Sequence, residues 1–407
     1  MPFVQMYKSS DLNSPVLSGI AGTMITLLNK ILLTGYTAAS LTSLTSAAGI
    51  ATATIAVANS TLVTGNYVTI SGADQADYNG TFQIIVVNST TFTFTVPNSP
   101  VSPATGTLLY AKAGLGWTSP FTGPNIAVYR SPNMVSNRFY LRVADTGSFT
   151  AGGAKEANVT GFETMTDYFY GTGQFPTNIQ TGQQSVIWPK SITADSTARA
   201  WTVIGDDKTF YVMLQNGTNT IWGGFGHLIS FKPGDGFNTF VGGLRTPNSI
   251  MPNEVTFGSV GNITSTIAST GVSLARSYTQ VGSAVYAWNT TYSQAPSLNY
   301  GVFSGGTSTG GWSTYGPIAP SLIDFSYFFL PVFQVECTQA AAIRGRLPGV
   351  YHMWCAAVPT LFYDEITNIS NMPAGTKLVT LYCDAYNQYN SNWSSGKLFV
   401  DFVGPWV

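Results

Sequence analysis

The clearest periodic signal lies near the start of the chain. Leu17, Ile20, Met24, Leu27, Leu28 and Ile31 recur at spacings of three and four, which puts them on one stripe of an α-helix. Ser14 as N-cap, Pro15 in the first turn and Gly35 as a stop predict one helix between Asp11 and Tyr36. Its apolar stripe seeks the core of its own domain first, and a neighbouring subunit second.

From residue 47 the pattern changes from helical spacing to alternation. Runs rich in Val, Ile, Thr, Phe and Tyr, bounded by Asn, Gly, Pro or Asp, predict strands at Ala51–Val57, Tyr67–Ser71, Gly80–Val87, Thr91–Val96 and Thr105–Tyr110. Phe92, Phe94 and Val96 share one face, Asp77-Tyr78-Asn79-Gly80 is a turn, and Asn88-Ser89 closes a tight hairpin. So many short strands in so few residues make a small sandwich or barrel. Residues 47–112 are therefore expected to form an inserted β-module. Residues 1–46, with the helix, and 113–407 would form the main β-rich domain, since neither closes alone. Further strands are expected at Ile126–Arg130, Arg138–Val143, Trp201–Ile204, Phe210–Leu214, Leu228–Phe231, Phe325–Val335, Leu378–Cys383 and Lys397–Val403. The predicted fold class is mainly β: a sandwich-like or barrel-like main domain with one N-terminal helix and a small inserted β-domain. No fixed-period repeat marks a solenoid or propeller.

Composition adds a reason for assembly. Asp, Glu, Lys and Arg make up 9% of the 407 residues, against about 25% in an ordinary soluble domain. Aromatics reach 13%, which excludes a disordered chain. A chain that buries its surface against other subunits needs little charge; the rival reading is a weakly charged secreted β-protein. A net charge of −1 argues against a nucleic-acid partner, and Arg344-Gly345-Arg346 is the longest approach to a basic patch. Residues 1–11 show no signal-peptide pattern, and Val16–Leu33 is broken by Gly19, Gly22, Asn29 and Lys30, so no export signal and no membrane insertion are expected. Cys337, Cys355 and Cys383 fit neither a disulfide framework nor a zinc site, in keeping with synthesis in a reducing cytoplasm.

Chemistry is sparse. Gly306-Thr307-Ser308-Thr309-Gly310, with Asp324 and His352 downstream, matches the order of an α/β-hydrolase triad. That motif needs a helix after the serine, and Gly310-Gly311-Trp312 followed by Gly316-Pro317 cannot supply one. His227 and His352 lack partners at ligand spacing except Cys355, and packing explains His352 better. Asp74, Asp77, Asp206 and Asp207 read as turn residues, and Gly223–Gly226 does not open a helix. No catalytic, cofactor-binding or metal-binding residue and no cofactor is therefore expected. The Gly/Ser/Thr-rich loop 304–316 is a candidate contact segment. Trp312, Tyr315, Trp393 and Trp406 suit either sugar stacking or a protein interface.

Two stretches carry a resemblance. Val68-Thr-Ile-Ser-Gly72 through Phe82, with Thr91–Val96 and Pro103–Thr107, resembles small β-modules inserted in phage and prophage structural proteins. Gly116-Trp117, Ala127–Arg130, Arg138–Asp145, Gly161–Met165, Phe175–Thr177, Trp188–Ser191 and Arg346–Tyr351 look like uncharacterised virion proteins of tailed bacteriophages. The resemblance implies a non-enzymatic structural subunit of the tail or baseplate, assembled as a symmetric oligomer in the bacterial host cytoplasm and residing in the virion. Its partners would be itself, other virion proteins and a host surface glycan or receptor. A capsid decoration protein and a receptor-binding adhesin are the alternatives; sparse acids and the missing repeat disfavour a polysaccharide depolymerase.

Overall fold

A computed structural model describes residues 3–59, 61–147, 153–178, 186–216, 219–245, 271–290, 329–336, 342–353, 365–366, 369, 372, 375–383 and 397–406. Within them the chain is mainly β, its strands joined in antiparallel sheets around one short helix.

The helix is shorter than its stripe predicts. Thr23–Leu28 is α-helical and Asn29–Thr34 adds a π-helical turn, so the expected start at Asp11 is wrong. Ser14 is not the cap, because its Oγ donates to the Ser9 carbonyl. Gly22 takes the N-cap position with φ 84°. The Met24 N–H is satisfied instead by the carboxylate of Asp145, more than a hundred residues away (145 − 24 = 121). Met24, Leu27, Leu28 and Ile31 are buried as the stripe implies, but Ile20 lies outside the helix and is exposed.

Seven strand segments form one sheet in the order Gly80–Gln83, Tyr67–Ala73, Gly106–Lys112, Ala39–Ala47, Ile50–Ile55, Thr91–Thr95, Ile85–Asn88. Only Ile84 separates the two edge segments, so both edges belong to one stretch of chain and the sheet closes into a barrel. The single strand expected over Gly80–Val87 is split at Ile84, whose buried side chain and hydrogen bonds to Gly65 and Asn66 mark the break. Leu44, Ala53, Val68, Ile70, Phe92 and Phe94 fill the interior. Closure satisfies the strand edges that an open sheet would expose. The Ala39–Ala47 strand lies in this barrel, on the body side of the boundary expected at residue 47. Its buried residues are Leu41 and Leu44, with Ala39 packed beside them among Ser and Thr, so no strict alternation announces it.

The ends of the barrel segment lie side by side, with Tyr36 N donating to Lys112 O at 2.9 Å. Replacing residues 38–111 by a short Gly/Ser linker is expected to leave a body that still melts cooperatively in scanning calorimetry. Loss of that transition would make the barrel integral to the body.

Two sheets build the body. The smaller has its strands in the order Leu244–Arg245, Val186–Pro189, Glu156–Met165, Tyr140–Ala144, Ile126–Arg130, Thr118–Gly123, with Gly171–Phe175 beside Glu156–Met165. The larger has 13 strands, starting from Gln5–Lys8, Trp201–Gly205 and Phe210–Asn216 and reaching Ile343–Met353, Lys397–Asp401 and Leu378–Cys383. Tyr129, Val159 and Trp188 from one sheet meet Trp201, Val212 and Phe225 from the other, and the helix inserts Leu27 and Ile31 into the same core. On its opposite face the larger sheet gathers Val4, Tyr211, Val350, Val400 and Trp406. Val4, just before the Gln5–Lys8 strand at one end of the order, packs on Gly404, just after the Lys397–Asp401 strand near the other end, so this sheet curls round upon itself.

Several expected elements shift. Leu228–Phe231 reduces to Ile229–Ser230, and Arg138–Val143 begins at Tyr140 because Arg138 adopts a positive φ of 55°. The strand expected at Phe325 starts at Leu330, residues 325–328 lying outside the described set. Asn219–His227 is a further strand that the expected set does not include, its Gly223, Gly224 and Gly226 leaving no apolar alternation to announce it. The Trp188 indole packs directly on Gly223, leaving no room for a Cβ, so close approach and not a turn demands that glycine.

Candidate functional site

The residues singled out for catalysis are not brought together among the described residues. Ser308 and Asp324 lie outside them, as do Cys337, Cys355, the loop 304–316 with Trp312 and Tyr315, and Trp393. His352 sits in the Ile343–Met353 strand, opposite Leu330 and Leu398. Among the described residues no group of three or more His, Cys, Asp or Glu is placed to hold a metal. Asp74 accepts a bond from the Thr105 hydroxyl and Asp77 one from the Asn98 amide, which ties turns. Trp406 belongs neither to a sugar site nor to an interface. It is buried, packs 5.5 Å from the Tyr211 ring, and donates its Nε1–H to Asp401 O.

Three sets of buried charges among the described residues are held by ion pairs. At the root of the barrel, Lys112 Nζ lies 2.7 Å from Asp11 Oδ2, which also accepts the Tyr36 hydroxyl at 3.1 Å. Gln5 donates to Ala113 O and accepts from Tyr67 N at 2.6 Å, while Phe3 stacks on Tyr67 at 3.7 Å. Burial pushes the Tyr7 and Tyr36 phenols far up, and pulls the Lys112 ammonium down despite Asp11. This is a joint between two units, with no group left over to act on a substrate. A second pair, Asp145–Lys190, holds the helix N-terminus. A third centres on Arg344, from the run Arg344-Gly345-Arg346 that is too short to make a basic patch. Its side chain is wholly buried between Asp235 and Glu336.

Two titrating groups near one hairpin set a pH dependence. Burial raises the Asp206 carboxyl to about 6, against the N–H groups of Lys208 and Thr209 that bond it. Desolvation, with Lys208 adding to it, pulls the His227 imidazole down to about 4. Between those values and their unfolded ones, folding takes up a proton at Asp206 and releases one at His227. Asp206 therefore makes stability fall as pH rises from about 4 to 6, and His227 makes it rise from about 4 to 6.5. The two oppose each other. In Asp206→Asn the carboxyl opposing the histidine at this hairpin is gone, and the urea midpoint is expected to rise more steeply with pH than in the parent; an unchanged slope would refute the assignment.

What remains available to a partner is surface. Val135 is 91% exposed, Met134 77%, Val281 73% and Tyr170 70% on the body, and Val101 is 73% exposed on the barrel. The smaller body sheet also carries an arginine set that sequence reading did not notice. Arg130 and Tyr140 face each other across adjacent strands, as do Val128 and Arg142, on the side opposite the main core, where Val128 is buried with Phe162 and Met165 in a small apolar cluster on which Tyr140 and Tyr168 pack. The signal was the i, i+2 spacing of Tyr140 and Arg142 on one strand face, but their lack of acidic partners is a tertiary fact. Compared with protein-family models and with curated proteins, the chain matches none.

Proposed function

We propose that the chain is a non-enzymatic structural subunit of a tailed-bacteriophage particle, working in the tail or baseplate as a closed symmetric oligomer. The exposed apolar surface carries this reading. Met134 and Val135, adjacent in the chain, and Val281 stand out from a chain whose charged residues amount to 9%, and so much exposed apolar side chain with so little charge suits contacts with other proteins. Val16, Ile20 and Ile192 add to it where the segment before the helix lies beside residues 191–199, a neighbourhood set by the Leu17–Arg199 bridge. The buried acids and bases are spent on holding the fold, which supports a role without catalysis. A barrel rooted on the body through an ion pair suits a module that projects or spaces. The resemblance in sequence to virion proteins supplies the particle; a capsid decoration protein is the neighbouring alternative.

Light scattering of the purified chain, followed by its location in an imaged particle, tests this. A closed oligomer is expected, each subunit burying well above ~800 Å² summed over its neighbours. A monodisperse monomer at high concentration, with only small wet contacts in the particle, would return the chain to the free-standing β-domains.

A further inference from the structure

Arg130 and Arg142 are diagonal neighbours on the outer face of the smaller body sheet, roughly 7–8 Å apart by strand geometry. Arg142 donates Nε–H to Tyr168 O at 2.8 Å and lies 5.4 Å over the Phe169 ring. Arg130 repeats the arrangement, with Nε–H to Arg138 O at 2.8 Å and its guanidinium 4.7 Å over Tyr140. In both, a backbone carbonyl takes Nε and a ring holds the plane, while the Nη groups bond to nothing among the described residues. The Arg138 side chain, beside them, bonds the sulfur of Met134 and no described oxygen.

Elsewhere the chain treats arginine differently. Arg199, Arg276 and Arg344 each hold a carboxylate. No described carboxylate forms an ion pair with Arg130, Arg138 or Arg142. Asp167, in the adjoining turn, spends Oδ1 on the N–H groups of Phe169 and Tyr170. Like charges so close disfavour the sheet unless an anion joins them. Around the pair the surface is hydroxyl-bearing and aromatic: Thr164 and Thr172 face each other at 2.6 Å, and Phe169 and Tyr170 are exposed.

We propose that this face binds an acidic glycan, its carboxylates taken by the Arg130 and Arg142 forks and its sugar rings laid against Phe169 and Tyr170. Planar bidentate donors match carboxylates, and exposed rings offer flat apolar faces beside hydroxyl groups. Nucleic acid fits less well. With three cations the surface neutralises about three phosphates at most, too few for firm backbone binding. The face belongs to the body sheet and the inference stands whether or not the chain sits in a phage particle.

The full chain is titrated calorimetrically with an oligogalacturonate, which carries a carboxylate on each ring, with its methyl ester, and with an oligothymidylate of equal charge. The oligogalacturonate is expected to bind, and the ester to bind at least about tenfold more weakly. Arg130→Gln and Arg142→Gln should each weaken binding by at least about tenfold with no loss of melting temperature, since they relieve repulsion. Arg199→Gln, remote from this face, should leave it unchanged. If a glutamine variant melts early, Arg142→Lys, which keeps the charge and loses the fork, should still bind more weakly than the native chain. No binding of the oligogalacturonate, equal affinity for the ester, or binding that survives these substitutions would overturn the proposal. Tighter binding of the oligothymidylate would overturn it in favour of a nucleic-acid surface.

Discussion

Replacing Arg344 by leucine is expected to destabilise the protein by about 3–5 kcal/mol, the cost of breaking a buried ion pair from one side. Arg344 Nε and Nη2 reach Asp235 at 2.7 and 2.8 Å, Nη1 reaches Glu336, and the carbonyls of Arg276 and Phe237 accept the remaining donors. One side chain thus ties the loop after Ser230, the segment after Leu274 and the Leu330–Glu336 strand. Leucine leaves two buried carboxylates facing each other without a cation. Burial pushes the Asp235 carboxyl up, but the Arg344 hydrogen bonds outweigh it and hold the group below its ordinary value. That depressed value stabilises the native protein above about pH 4 and is lost as pH falls through it. In Arg344→Leu the same carboxyl takes up a proton on folding, so the gap between the two proteins should narrow on acidification. Urea unfolding at neutral and acidic pH measures both effects. Arg344→Lys keeps the charge without the fork and should fall between. A leucine variant as stable as the parent at neutral pH would show that the charges are not buried in solution.

The second large effect is expected at Lys190. Its Nζ lies 2.6 Å from Asp145 Oδ1 with both side chains fully buried, and it also donates to Ile20 O and to the Thr23 hydroxyl. Asp145 in turn accepts the Met24 N–H at 2.9 Å, so one carboxylate caps the helix and neutralises the lysine. Lys190→Met strands that carboxylate in the core at a cost of about 3–5 kcal/mol. The double variant Lys190→Met/Asp145→Asn removes both charges and keeps an oxygen for Met24. It should recover most of the loss, because a neutral amide is far cheaper to bury than an isolated charge. Thermal unfolding reports the stability, and hydrogen exchange at residues 22–28 reports whether the helix start loosens first. If the double variant is as unstable as the single, packing and not charge governs the site.

Both predictions concern residues that no local pattern distinguishes. Lys190 follows a proline in Trp188-Pro189-Lys190, and Arg344 looks like half of a basic doublet. Their roles come from partners 45 and 109 positions away (190 − 145; 344 − 235). The arginine face has the same character. Strand alternation aligns Tyr140 with Arg142, but only the register Arg130↔Tyr140, with no ion pair to a described carboxylate, suggests the proposed face. The early helix start failed for a related reason. Asp11, counted as helix, is bound to Lys112, and a long-range ion pair outweighed the local spacing.

The sequence by itself determined the class of fold and the position of many strands, since side-chain alternation is a local consequence of the pleat. Ile126–Arg130 and Leu378–Cys383 appear with their expected limits. It also determined the scarcity of charge that makes assembly the leading expectation. Tertiary structure alone decided the closure of the barrel through Ile84, the curl that brings Val4 to Gly404, and the pairing of Arg344 and Lys190 with their buried carboxylates. Those outcomes depend on which distant segments meet, and a low-dielectric interior admits a charge only where its partner arrives with it.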